Sequence, residues 1–461
     1  MKVYDIIVIG MGPAGMAVSG MASNMGLKVL GIDGEKLGGE CLNTGCIPSK
    51  SLLKSAYFKD SAEHLNKFGL NLKGDIEVVN PLEIVRNQLK MLTGEGLHNK
   101  FSKVDMILKK GYAKFINSNT IKVNDVEYSA RTIFIATGTK PMIVPIPGLS
   151  EIDVLTNENM FNLDKIPNSL TIIGGGAIGT EMAQAFSRLG SDVTIVQMDD
   201  HLIPNGDEEA GKLLEKVFNK EGIKVFNSTT INKVEMQDAK IVTFTSKGNF
   251  ISDEILVATG RKPVIDRLDL DSAGIKYDKK GIKVDEFNRT NIKSIYAVGD
   301  CNGVNLLSHS AMHQGMTSLM HMLKGNDDNS LKRSNFPVPW SVFTSPEVAQ
   351  VGLSEKMAIN KEIDFFIVKE EYKTYARAIT DGKPEGFVKI ITDKKGKIYG
   401  ATIIGEAASE LIQEWTMAIQ NNLTMFNIMM MQHSFPTISI LNKSVAEKWM
   451  MMLVKNGEME F

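Results

Sequence analysis

Two stretches of the chain repeat one pattern of apolar and polar positions. Tyr4 to Ile9 is an apolar run of strand length, and the glycine turn Gly10-Met-Gly12-Pro-Ala-Gly15 after it predicts a helix to about Met25. A second apolar strand, Leu27 to Ile32, then ends at Asp33. Further on, Ser169 to Ile173 predicts a strand, Gly174-Gly-Gly176-Ala-Ile-Gly179 a turn, and residues 180–189 a helix, before the strand Asp192 to Val196 ends at Gln197. Gly10 to Asp33 and Gly174 to Gln197 span the same 23 positions, so the two units superimpose without a gap. Each is followed downstream by an apolar strand running into Ala-Thr-Gly, once at Ala136-Thr137-Gly138 and once at Ala258-Thr259-Gly260.

Strand, glycine turn, helix and strand in this order form a dinucleotide-binding pattern. Gly10 and Gly174 permit the tight turn, Gly12 and Gly176 admit a pyrophosphate, and Gly15 and Gly179 let the helix pack closely. Asp33 suits a ribose. A lone glycine turn is weak evidence, but two copies in register predict two dinucleotide sites.

Beyond the repeats the pattern is mixed. Residues 55–145 combine helical and strand periodicities, and a strand over Ser294 to Val298 leads to Gly299-Asp300. Asp300 then sits at a strand's carboxyl end, where open sheets place ligands, or serves as the N-cap of a helix starting near Leu306. Residues 325–337 have the composition of a linker. After it come strands near Ser341 to Phe343, Asp364 to Val368, Phe387 to Thr392 and Ile398 to Ile404, with helices from about Ser409, an α+β pattern.

A chain of 461 residues predicts about three domains at roughly 150 residues each. With 52 basic and 54 acidic residues the net charge is −2, which points away from nucleic acid and anionic membranes and towards small molecules. The N-terminal lysine and apolar run lack a cleavage-like region, and no uncharged run reaches the roughly 18 residues of a membrane span. Three cysteines in so long a chain suit the reducing cytoplasm.

Cys41 and Cys46 lie in Gly38-Gly39-Glu-Cys-Leu-Asn-Thr-Gly-Cys-Ile-Pro-Ser-Lys50. Residues five apart on a helix climb roughly 7.5 Å, beyond the roughly 4.4–6.8 Å that a disulfide allows between Cα atoms. A bond between them therefore needs a bend, for which Gly45 is placed, with Pro48 expected to break regularity just after. The alternatives are half a zinc site, for which ligands are too few, and two reduced thiols acting as small hydrophobes.

With two nucleotide folds and this cysteine pair between them, the sequence resembles the flavin-dependent pyridine nucleotide-disulfide oxidoreductases, in the style of dihydrolipoamide dehydrogenase. The resemblance is carried by Gly10 to Gly15, Gly38 to Lys50, Gly174 to Glu181, Val298 to Asp300, Phe343 to Gly352 and Glu385 to Lys389. It implies an α/β fold with two Rossmann-like domains, one for FAD (1–147 and 262–330) and one for NAD(P) (148–261), plus an α+β dimerisation domain (336–461). It also implies a homodimer. FAD would be held by Gly10, Gly12, Gly15, Asp33, Gly39, Lys50, Thr137, Gly138 and Asp300, and NAD(P)H by Gly174, Gly176, Gly179, Gln197 and Gly260. Cys41 and Cys46 would form a redox-active disulfide, Cys41 exchanging with substrate and Cys46 facing the flavin, both with lowered thiol pKa. Lys50 would pair with Glu181 beside the flavin; the plainer expectations are a solvated lysine and a first-turn acid favoured by the helix dipole. The third glycine, Gly179, and the acids Asp199 and Asp200 favour NADH over NADPH.

One motif departs from the family. Where a His-Pro-Thr run, followed five residues later by a glutamate, supplies the acid–base pair across the dimer, this chain has Phe435-Pro436-Thr437 and Ile440. His433 is the nearby histidine, displaced by two residues. The methionines of the tail, Met425, Met429, Met430, Met431, Met450, Met451 and Met452, are expected to fill core more than to bind Cu(I). No resident metal is expected. The electron acceptor is then a disulfide or another small molecule, with a metal or quinone reductase and a non-enzymatic redox sensor as alternatives.

Overall fold

The computed structural model describes residues 2–325 and 328–457. β1 (Lys2–Ile9) and β2 (Val29–Asp33) pair in parallel, Ile6 opposite Val29, with α1 (Pro13–Asn24) crossing between them. The chain then runs through α2 (Gly39–Asn43), α3 (Cys46–Glu63), α4 (Pro81–Leu92) and α5 (Glu95–Lys100). β3 (Asp105–Leu108) joins β2, and β4 (Ala113–Asn117), β5 (Thr120–Val123) and β6 (Val126–Ile135) complete the order β3-β2-β1-β6-β5-β4. Ile6, Ile7, Val8 and Ile9 of β1 are all buried, as a central parallel strand covered on both faces requires.

The short β7 (Thr139–Pro141) leads to the second fold. There β8 (Ser169–Ile173), α6 (Ala177–Arg188), β9 (Asp192–Val196), α7 (Glu208–Lys220) and β10 (Lys224–Phe226) are followed by the antiparallel β11 (Ile231–Gln237), β12 (Lys240–Thr245) and β13 (Gly248–Ser252). β14 (Glu254–Val257) closes a parallel sheet of order β10-β9-β8-β14. α6 begins at Ala177 rather than at the expected Thr180, because Gly176 is already its N-cap. β15 (Arg261–Pro263) pairs back onto β7, and after the hairpin β16 (Tyr277–Asp278) and β17 (Gly281–Ile282), β18 (Ile295–Ala297) re-enters the first sheet beside β6. α8 (Ser308–Lys324) then packs on α1.

Both glycine turns are built alike. Gly10 has φ +98° and Gly174 φ +108°, and a Cβ on either would lie 2.3 Å from the carbonyl oxygen of Ala136 or 2.6 Å from that of Ala258. The Ala-Thr-Gly segments are thus the floors against which the turns pack, which is why both copies carry them.

In the C-terminal part, β19 (Trp340–Val342), β20 (Glu347–Gly352), β21 (Phe366–Glu371), β22 (Phe387–Thr392) and β23 (Ile398–Gly405) form an antiparallel sheet of order β19-β20-β23-β22-β21. With α9 (Glu355–Asn360), α10 (Ala376–Thr380), α11 (Ala408–Gln420), α12 (Met425–Met430) and α13 (Ile440–Lys455) it encloses a core around Trp415 and Trp449. The mixed α/β class is the expected one. β20 was not foreseen as a strand. Of the tail methionines, Met425 and Met450 are buried, whereas Met430, Met431 and Met451 are exposed, so the tail is less of a core than its composition suggested.

The segment expected as a linker, whose residues 326 and 327 lie outside the described ones, is tied down beyond them. Arg333 donates to the Asp285 carbonyl at 3.0 Å, Asn288 at 3.1 Å and Glu286 at 3.1 Å. Between the second fold and the C-terminal sheet, the buried Lys389 ammonium meets Asp207 at 3.0 Å, Glu355 at 2.8 Å and Glu209 at 3.5 Å. Burial alone pushes this ammonium down, but Glu355 and Asp207 outweigh it and hold its pKa above the ordinary value.

Candidate active site

The site starts from the register of α3. Its buried residues Pro48, Ser49, Leu52 and Ala56 recur at helical spacing, and Leu52 and Ala56 share a core with Met182 and Phe186 of α6. That packing sets Lys50 against Glu181: Nζ lies 2.8 Å from Oε2 and 3.0 Å from Oε1. Glu181 is buried and also accepts the Phe343 backbone N–H at 3.0 Å, while the ammonium sits 4.5 Å above the Phe343 ring. Lys50 is therefore not simply solvated. Nor is Glu181 a first-turn acid, since it is the fifth residue of α6. Glu181→Ala is expected to lower stability by about 1–3 kcal/mol, because it strands two donors; Glu181→Gln, which keeps an acceptor for Phe343, should lose less. Urea denaturation of both variants checks the ranking.

Cys41 lies in α2 and Cys46 is the first residue of α3, with Gly45 as N-cap at φ −120°, ψ −108°. The helix breaks between them, as a bond requires. Pro48 does not break it again: it sits in the first turn of α3, where a missing N–H costs nothing. The two are free thiols, close enough to influence each other's ionisation. Ser308, the first residue of α8, places its Oγ 3.2 Å from Cys46 Sγ.

The two thiols are driven apart in pKa. The hydrogen bond from Cys41 favours the Cys46 thiolate most, against burial, and Ser308 and the Lys50 charge add to it, bringing Cys46 down to about 6. Cys41, hydrogen-bonded to that thiolate and partly buried, is pushed up instead. The expectation that both would be lowered is corrected. Two thiols this close share one negative charge, and Cys46 at the helix N-terminus takes it.

The dinucleotide turns show a matched exchange. Asp33 accepts the Met11 N–H at 2.7 Å and the Glu35 N–H at 2.8 Å; burial raises its pKa against these bonds. In the second copy Gln197 Oε1 accepts the Gly175 N–H at 2.8 Å, at the position equivalent to Met11. Gln197 Nε2 then donates to Asp199 Oδ2 at 2.8 Å. The glutamine thus keeps the turn-bracing bond of the acid and hands its charge to Asp199.

Asp300 opens a short turn after β18 and accepts the Thr139 hydroxyl at 3.0 Å, with burial raising its pKa. It does not cap the following helix, which starts at Ser308 behind Leu307. Thr137 and Gly138 leave the carboxyl end of β6, and Gly260 that of β14. Arg261 donates to Thr139 Oγ1 at 2.7 Å and to Asn157 at 3.3 Å, and also pairs with Glu40.

These residues fit dinucleotides. α1 and α6 both start behind a glycine N-cap without a side-chain cap, which leaves first-turn N–H groups for phosphate. At the first, Gly12 and Gly39 face each other closely enough that a Cβ on Gly39 would lie 2.7 Å from Gly12 Cα, so only bare backbone lines the approach. Glu40 Oε1 is buried there without a hydrogen-bond partner.

His433 turns to a carboxylate of its own chain. Its side chain is 3% exposed, with Nε2 3.0 Å from Glu414 Oε1; Glu414 also accepts Asn442 Nδ2 at 2.8 Å. Phe435, by contrast, is 77% exposed.

Two dinucleotide folds and a paired thiol at the head of a helix define a class, an oxidoreductase that trades electrons with sulfur. The chain belongs to the pyridine nucleotide-disulphide oxidoreductase family: residues 4–315 match its model, and residues 338–444 match the family's dimerisation domain. It is 35% identical to the dihydrolipoyl dehydrogenase of Thermus scotoductus over 451 residues, covering 95% of this chain and 96% of the relative. A dihydrolipoyl dehydrogenase of Bacillus subtilis is 35% identical over 428 residues, 91% and 93% of the two chains. Among solved structures, LpdA of Mycobacterium tuberculosis superimposes with a TM-score of 0.86 at 26% identity, covering 97% of this chain and 99% of that one. The flavoprotein disulfide reductase RclA of Escherichia coli shares the fold, with a TM-score of 0.85 at 24% identity over 96% and 99%. No described helix is long and apolar enough to cross a membrane.

Proposed function

We propose that the chain is an FAD-dependent, NADH-linked oxidoreductase that cycles Cys41 and Cys46 between disulfide and dithiol, in the manner of dihydrolipoyl dehydrogenase, as a cytoplasmic homodimer. The observation that carries this reading is the unequal thiol pair at the head of α3. A dithiol substrate that attacks the disulfide at Cys41 Sγ forms a mixed disulfide and expels Cys46 as thiolate; its second thiol then displaces Cys41. Cys46, with a pKa near 6, is the better leaving group, because a lower thiol pKa speeds departure. FAD, held by Gly10, Gly12, Gly15, Asp33, Gly39, Thr137, Gly138 and Asp300, supplies the redox centre between the dithiol and the nicotinamide coenzyme. Lys50, steadied by Glu181, provides a fixed positive charge beside the pair. Gly174, Gly176, Gly179 and Gly260 supply the bare backbone for NADH. Phe426, Met430, Met431 and Phe435, exposed within ten residues, support a second chain covering this face.

For the coenzyme, Asp199 is a ribose acceptor and repels a 2′-phosphate. Asp199→Ala is expected to weaken NADH binding by about ten- to a hundredfold, as loss of a charged hydrogen bond does, and to strengthen NADPH binding. Titration calorimetry with each coenzyme reads both.

The test of the whole reading is anaerobic titration of the purified protein with NADH and, separately, NADPH, followed by lipoamide, quinone and Cu(II) acceptors. Bound flavin reduced by NADH is the expected result. Protein purified without flavin, and unable to take it up, would overturn the reading.

A further inference from the structure

Cys46 stands where two long helices begin. It is the first residue of α3, and Ser308 is the first residue of α8, 262 positions later. The Ser308 hydroxyl reaches Cys46 Sγ at 3.2 Å, and His309 beside it is anchored through Nε2 to the Pro339 carbonyl at 2.7 Å, which fixes where α8 starts. The charged and titratable groups around the sulfur come from three elements: Cys41 on α2, Lys50 on α3 and Glu181 on α6. Of these, Lys50 is already committed to Glu181, so its charge on the sulfur is partly cancelled.

We propose that Ser308 is a positioning residue for the dithiol: its hydroxyl, 3.2 Å from Cys46 Sγ, donates to that sulfur and steadies the negative charge on it. The assignment rests on the dithiol reading above and names a hydroxyl that supports the Cys46 thiolate within it. A hydroxyl rotates freely, so it donates to the thiolate when the pair is reduced and turns to another acceptor when the sulfur is bonded. It thus favours the reduced state of the pair without adding a charge. The N–H groups of the first turn of α8 reinforce its direction.

The experiment follows the pH dependence of Cys46 alkylation by iodoacetamide in the full-length protein after chemical reduction, with the modified peptide identified by mass. Neither NADH nor turnover enters the readout. In the wild type the midpoint should lie near 6. In Ser308→Ala and Ser308→Gly it should rise by about half to one pH unit, a three- to tenfold smaller thiolate fraction below the midpoint. Ser308→Thr, which restores the hydroxyl, should return it. A hydroxyl-free variant that folds and keeps the wild-type midpoint overturns the proposal, as does a Thr variant that behaves like Ala. Loss of the dithiol reading itself shows differently, as protein without flavin or a pair that NADH cannot reduce, whatever the alkylation profile.

Discussion

Cys46→Ser is expected to reduce turnover with disulfide or dithiol substrates to background, a loss on the order of 10³-fold or more, since one member of a unit that acts together is gone. The spectrum separates this from general damage. With flavin bound, a thiolate beside it would give long-wavelength absorbance in the reduced wild type, and Cys41, Ser308 and Lys50 favour that charge on Cys46. That absorbance should vanish in Cys46→Ser and persist in Cys41→Ser. Its pH dependence follows from the sign of the shift. A thiol lowered from 9.0 to about 6 is ionised above about 6 and protonated below it, so the band should grow as pH rises through 6 and fade in acid. A band that survives Cys46→Ser and disappears in Cys41→Ser would reverse the assignment.

The second large effect is a gain. Phe435→His combined with Ile440→Glu is expected to raise dihydrolipoamide oxidation by about 10²-fold or more, the usual contribution of a positioned acid–base group. Both positions are permissive: Phe435 is 77% exposed and supports no core of its own chain, and Ile440 opens α13, where an acid suits the helix N-terminus. His433 will not interfere, since Glu414 holds it inside its own chain. Steady-state kinetics with lipoamide, with NADH reduction of the protein as control, measures the change. If the wild type already oxidises dihydrolipoamide rapidly and the double variant adds nothing, the missing pair is irrelevant to this enzyme.

Much of this was legible along the chain. The repeated glycine turns are local, and the 23-residue spacing survives in the paired contacts of Gly10 with Ala136 and Gly174 with Ala258. The bend between Cys41 and Cys46 was legible because helix rise and disulfide reach conflict. What could not be read were contacts made by distant chain. Ser308 carries no motif of its own and Phe343 only opens one, yet one meets Cys46 and the other Glu181 across 262 and 162 positions. Gln197 looked like a lost acid. Its bond to Gly175 and its hand-over to Asp199 depend on a rotamer that no pattern of residue types encodes. β20 escaped because Glu347 to Gly352 is buried along most of its length and shows no alternation.

The Lys389 cluster bears on how the molecule assembles. Its ammonium draws one partner, Glu355, from the C-terminal domain and another, Asp207, from the N-cap of α7 in the second nucleotide fold. Until the two units dock, neither charge has its full complement, and closing the interface around a lysine short of one partner would cost about 3–5 kcal/mol. A half-seated arrangement is thereby penalised. The cluster acts as a latch that tolerates the domains apart or fully joined, and so proofreads the docking that brings Phe343 over Lys50.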